Sequence, residues 1–118
     1  MLVLLELAAV RGADAAECGD AATQSELNVC ADQNFRNADT RLNDAYRQAV
    51  MGLHGQSDRL ALLTKAERAW VSFRDAECAF AGSGSEGGTI EPMIVSECLA
   101  QVTAEREKSL RRSLGRPQ

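Results

Sequence analysis

The apolar residues of this chain recur every three or four positions in three separate stretches, the period of one face of an α-helix. In the first, Leu27, Ala31, Phe35, Ala38, Leu42, Ala45, Ala49 and Leu53 form a single stripe. Thr23-Gln24-Ser25-Glu26 stands directly before it and reads as a capping box, with Thr23 as N-cap and Glu26 reaching back to it. Gly52 and Gly55 bracket the end, and no proline interrupts the run. The second stretch starts near Ser57-Asp58 and reaches about Ala81, with Leu60, Leu63, Ala66, Trp70, Phe73 and Phe80 on a broad apolar face. Residues 82–88, rich in glycine and serine, predict a loop rather than regular structure. The third helix is predicted to begin near Thr89. Pro92 is tolerated in its first turn because the N–H it lacks would have no partner there. Val95, Leu99, Val102 and Leu110 carry its apolar side, and it frays in a tail containing Arg111, Arg112 and Arg116, cations that suit a helix C-terminus. No strand pattern or internal repeat is found. The fold predicted is all-α, a small antiparallel three-helix bundle.

Four cysteines change that picture. Cys18, Cys30, Cys78 and Cys98 are separated by 12, 48 and 20 residues, with no CxxC pair. A zinc site or a thioredoxin-like motif would show a close pair. An even set in a small domain reads instead as two disulfides formed in an oxidising compartment, with four unpaired buried thiols as the bland rival. Four cysteines allow three pairings. Helix placement favours neighbours: Cys78 near the end of the second helix meets Cys98 about two turns into the third, and Cys18 folds back on Cys30. Each crosslink would constrain the unfolded chain by about 3 kcal/mol. Against a total stability of about 5–15 kcal/mol, that is a large share.

Residues 2–10 (LVLLELAAV) resemble the apolar part of a secretory signal, and Ala13-Asp14-Ala15-Ala16 offers small residues for cleavage. Residues 1–16 are therefore expected to be a leader, truncated at its start, and residues 17–118 a single exported domain, periplasmic or secreted. Nine or so apolar residues are too few to span a bilayer. Glu17 stands before Cys18 where an acylation signal wants a small residue, so no membrane anchor is expected. The formal charge of −4 argues against nucleic acid, which needs a basic face, and suits a cationic protein partner.

Two arginines break the amphipathic pattern. Arg74 falls within the arc of Leu60, Leu63 and Trp70, and Arg106 within the arc of Val95, Leu99 and Val102. Asn28, Asp39 and Asn43 border the stripe of the first helix, on the same edge as Tyr46. A charge on a core-facing stripe needs a partner. Arg74 and Arg106 are expected to converge on Asp39, with Glu67 and Glu77 as further acceptors. Such a polar network either pins the register of the helices or serves recognition. Trp70 and Phe73, at helical spacing, are expected in the core.

Catalytic chemistry finds little support. The one histidine, His54, sits in a Leu53-His54-Gly55 turn, and no HExxH, GxSxG or phosphate-binding glycine loop occurs. With the cysteines in disulfides no thiol nucleophile remains. No clustered metal ligands occur, so neither a metal nor a cofactor is expected. Residues 82–88 are either a plain connector or a recognition loop on a cross-linked scaffold.

Together these residues resemble the family of small secreted proteins named for the lysozyme inhibitor LprI. The resemblance rests on Thr23-Gln24, Glu26-Leu27-Asn28 and Cys30, then Ala38-Asp39, Leu42-Asn43 and Tyr46. It continues through Glu67-Arg68-Ala69-Trp70, Phe73-Arg74-Asp75 and Cys78, then Gly87-Gly88, Pro92, Cys98, Thr103 and Arg106. It implies an exported helical domain and, for the founding type, inhibition of lysozyme. A lysozyme-type muramidase is thus the expected partner, with Ser83, Ser85 and Glu86 as candidate contacts. The alternative is a non-enzymatic structural or accessory domain of the bacterial envelope.

Overall fold

In a computed structural model, residues 18–114 are described, and the leader expected over residues 1–16 lies outside them. Three helices account for most of this span: α1 (Gln24–Gly52), α2 (Ser57–Gly82) and α3 (Glu91–Leu114). Short 3-10 turns occupy Cys18–Asp20 and Ser83–Ser85, and no strand occurs among the described residues.

The start of α1 is fixed by its cap. The Glu26 amide donates to Thr23 Oγ1 at 3.1 Å, and Glu26 Oε1 accepts from the Thr23 amide at 3.0 Å. Both groups would otherwise be orphaned at a helix end. Between α1 and α2 the chain turns in four residues, and Gly55 takes the left-handed conformation (φ 80°) that side chains resist. α3 begins at Glu91, two residues later than Thr89, with Pro92 in its first turn. It does not fray at Arg111: that side chain donates to Glu107 Oε2 at 2.7 Å and to Gln48 Oε1 on α1 at 3.5 Å.

α1 and α3 run parallel, with α2 antiparallel to both. Asn28 Nδ2 donates to the Thr89 carbonyl at one end, and Arg111 meets Gln48 at the other. α2 is joined to α3 by Cys78–Cys98 near one end and by Glu67–Arg106 two to three turns away. The tightest packing is between α1 and α3. Ala31, Ala38, Ala45 and Ala49 are all buried, and their small side chains let the two helices approach closely around Leu42 and Leu110. Tyr46, Leu63 and Trp70 pack against this core from its margin.

α2 departs from expectation. Leu60, Leu63 and Trp70 turn toward the bundle, but Phe73 and Phe80 are 56 % and 75 % exposed and Ala66 faces water with them. The face read as one broad stripe is two. At about 100° per residue, Phe73 lies only about 60° round the helix from Trp70, but about 100° from the mean direction of Leu60, Leu63, Trp70 and Arg74, and that turn is enough to leave it in water.

Candidate functional site

Arg74 is held on all sides. Its guanidinium carbon lies 5.1 Å from the Trp70 ring centroid and 5.3 Å from that of Phe35. Nε donates to Asp75 Oδ1 at 3.0 Å, and Nη1 lies 3.7 Å from Asp39 Oδ1. Asn43 Nδ2 donates to the other Asp39 oxygen at 3.4 Å. Two rings and two carboxylates lie close to the guanidinium, so cation–π and ionic attraction act together. Little of the group remains for a ligand. The cluster bridges α1 and α2 where aliphatic contact is sparse, as does the 3.5 Å approach of Tyr46 Oη and Thr64 Oγ1.

Arg106 does not join that cluster. Its Nε donates to Glu67 Oε1 at 3.0 Å, with both side chains largely out of water. The expected convergence on Asp39 fails for a geometric reason. Glu67 and Arg74 are two helical turns apart on α2, about 10 Å along its axis. Each level therefore takes its own partner, α3 supplying one at Glu67 and α1 the other at Arg74. A third network, not foreseen, joins α1 to α3: Glu107 accepts from Arg111 and lies 3.6 Å from Arg41.

The α2–α3 corner is built differently from the loop expected there. Gly82 belongs to the last turn of α2 and is buried, because a Cβ at that position would meet Val95 Cγ2 at 2.6 Å. Ser83–Ser85 then form one 3-10 turn. Ser83 Oγ donates to the Phe80 carbonyl at 2.7 Å, and the Gly88 amide donates to the Ser85 carbonyl at 2.9 Å. Gly87 supplies the left-handed residue (φ 82°) that reverses the chain.

Two ties hold the corner to the bundle. Cys78–Cys98, Cα–Cα 5.4 Å, lies at its base, with Cys78 fully buried. On its far side Asn28 of α1 donates to the Thr89 carbonyl at 3.0 Å. The second disulfide, Cys18–Cys30, Cα–Cα 5.7 Å, fastens the start of the domain to α1. Ser83 and Glu86 stand exposed and Ser85 is half-buried. The Ser83 proton is committed to the Phe80 carbonyl, which leaves its exposed oxygen as an acceptor. No group of three His, Cys, Asp or Glu side chains that could hold a metal occurs among the described residues. His54 is exposed in its turn.

The family model described as "Lysozyme inhibitor LprI" matches residues 15–110. The chain belongs to the LprI family. The match covers every helix core described above. An uncharacterized protein of Rhizobium meliloti (strain 1021) is 40 % identical over 106 residues, covering 80 % of this chain and 76 % of the relative. No solved structure matches. LprI proteins are a family of inhibitors, not of enzymes, and their name points to a lysozyme-type partner. No helix among the described residues is long and apolar enough to cross a membrane.

Proposed function

We propose that this LprI-family protein is exported and that it binds and blocks a lysozyme-type muramidase. The family match over residues 15–110 is the observation that carries the reading. Two disulfides accord with an oxidising, extracytoplasmic setting. The contact surface we assign is the α2–α3 corner, with Ser83, Ser85 and Glu86 directed at the target. Many lysozymes are cationic, and a chain of net charge −4 would be drawn to them by electrostatic steering.

The chemistry at the corner suits a glycosidase cleft. Such enzymes hold one protonated carboxyl as general acid and one ionised carboxylate. Glu86 would be repelled by the ionised group and would accept a hydrogen bond from the protonated one. Ordering glycines on binding is costly. The disulfide at the base and the Asn28–Thr89 bond reduce that cost by holding the corner before contact.

Lysis of a cell-wall suspension by lysozyme, followed by turbidity with and without the oxidised protein, tests this. Slower lysis at stoichiometric amounts is expected. Unchanged lysis across several lysozyme classes would favour an accessory domain of the envelope with no enzyme target.

A further inference from the structure

One face of α2 carries a continuous apolar seam with no partner among the described residues. Leu62, Ala66, Ala69, Phe73, Ala76 and Phe80 are all exposed, Leu62 by 66 %. Their spacing is four, three, four, three, four. This is the alternation by which one helix packs along another in a coiled coil. Scattered surface apolar residues need no explanation, but six in this register form a stripe. The seam is centred about 120° round α2 from Trp70, Arg74 and Cys78, which face the bundle, and its side chains are left exposed by the fold described above.

We infer that this seam is a self-association surface, and that its occupant is the same seam of a second copy, packed antiparallel. The side chains are complementary to their own reversal. Antiparallel pairing centred at position 71 sets Phe73 against Ala69 of the second copy, Phe80 against Leu62, and Ala66 against Ala76. Every phenylalanine then meets a smaller residue. A parallel, in-register pair would stack Phe73 on Phe73 and Phe80 on Phe80 and leave hollows at the three alanines, a worse fit for close packing. Charge permits this orientation. The seam itself holds no charged residue, and the flanking Lys65 side chains stand about 18 Å apart along the axis in the antiparallel pair.

The area sets the size class of the interface. A fully buried aromatic covers about 150–250 Å², so the exposed parts of Phe73, Phe80, Leu62 and the alanines amount to roughly 500 Å² per copy. Two copies bury about 1,000 Å², the lower end of specific interfaces, which corresponds to a reversible dimer rather than an obligate one. C2 symmetry closes the assembly at two, because each seam is fully used by its mate. The α2–α3 corners emerge at opposite ends of the paired helices, so both remain open. This association is independent of the proposed inhibition.

Sedimentation velocity of the oxidised protein from about 10 µM to about 1 mM tests it, with a dimerisation midpoint on the order of 100 µM expected. Phe73→Glu should remain monomeric throughout while its melting temperature at the lowest concentration stays that of the wild type. Ala69→Phe, which fills the hollow opposite Phe73, should weaken dimerisation at least about tenfold, a change of about 1.4 kcal/mol. Wild-type protein that stays monomeric at every concentration would assign the seam to a different occupant and overturn the inference. Undiminished dimerisation of Phe73→Glu would place the interface elsewhere and overturn it as well. Undiminished dimerisation of Ala69→Phe would overturn the antiparallel register.

Discussion

Arg106 Nε donates to Glu67 Oε1 across the α2–α3 interface at 3.0 Å, with 18 % and 16 % of the two side chains still exposed. Removing one member of so shielded a pair leaves the other without compensation. Glu67→Ala is therefore expected to cost about 2–3 kcal/mol, below the 3–5 kcal/mol typical of fully buried pairs because some water reaches both groups. Asp39→Ala should cost only about 1 kcal/mol, since Asp39 is 40 % exposed and Arg74 keeps Asp75 and both rings. Urea unfolding of the two variants checks the order. Equal losses would contradict the assignment of separate partners.

The Cys78–Cys98 bridge closes 20 residues with Cys78 fully buried, whereas Cys18–Cys30 closes 12 at the edge of the domain. Loop entropy alone assigns each about 3 kcal/mol. Replacing Cys78 and Cys98 together by alanine should cost more than that, because Cys78 is completely buried and truncating it also leaves a cavity. Thermal melts of the two double variants should show the greater loss for the Cys78/Cys98 pair.

Thr103 is completely buried on α3, and its hydroxyl has no hydrogen-bond partner among the described residues. Burying an unsatisfied hydroxyl is unfavourable, and valine has nearly the same shape. Thr103→Val should raise stability by about 1 kcal/mol, or roughly 4–8 °C in Tm for a domain of this size. A lower Tm would show that the hydroxyl is satisfied in solution.

The amide of Ala22, the hydroxyl of Thr23 and the amide of Thr23 hold the Glu26 carboxyl below the usual carboxylate range. A carboxyl lowered in the folded state stabilises it above the unfolded value, about 4.3. That contribution is present at neutral pH and is lost as pH falls through the lowered folded value. The stability advantage of wild type over Glu26→Gln should thus narrow between about pH 5 and pH 2. An advantage constant with pH would contradict the charge-assisted cap.

Much of this architecture is legible in the residue pattern. The Thr23–Glu26 cap, the α1 stripe and the α2 start at Ser57 all follow from local chemistry that tertiary packing leaves intact. What escapes the pattern depends on which helix lies opposite which face. Leu63 and Phe73 look alike to a hydrophobicity reading, and only the placement of α1 and α3 decides that one is covered and the other exposed. The partner of Arg106 escapes for the same reason, since Asp39 and Glu67 are equally good acceptors until the levels of the bundle are known. Gly82 reads as the start of a loop because glycine breaks helices, yet here the missing side chain makes room for Val95. For Ser83, Ser85 and Glu86 the sequence offers exposure and polarity, and the anchoring by Asn28 becomes visible only in three dimensions.

If the cross-linked three-helix scaffold presents its α2–α3 corner to a lysozyme-type enzyme, inhibition must depend on the side chains at that corner. Initial rates of cell-wall lysis should be measured with lysozyme alone, with the oxidised wild-type protein, and with a variant carrying Ser83→Ala, Ser85→Ala and Glu86→Ala. The account predicts that the wild type slows lysis and that the triple variant does so at least about tenfold less effectively, a loss of about 1.4 kcal/mol of binding. The variant's melting temperature should be nearly that of the wild type, because Ser83 and Glu86 are exposed and Ser85 is half-buried. Equal inhibition by both proteins would contradict the corner as the contact surface, and no inhibition of any lysozyme class by the wild type would contradict the function itself.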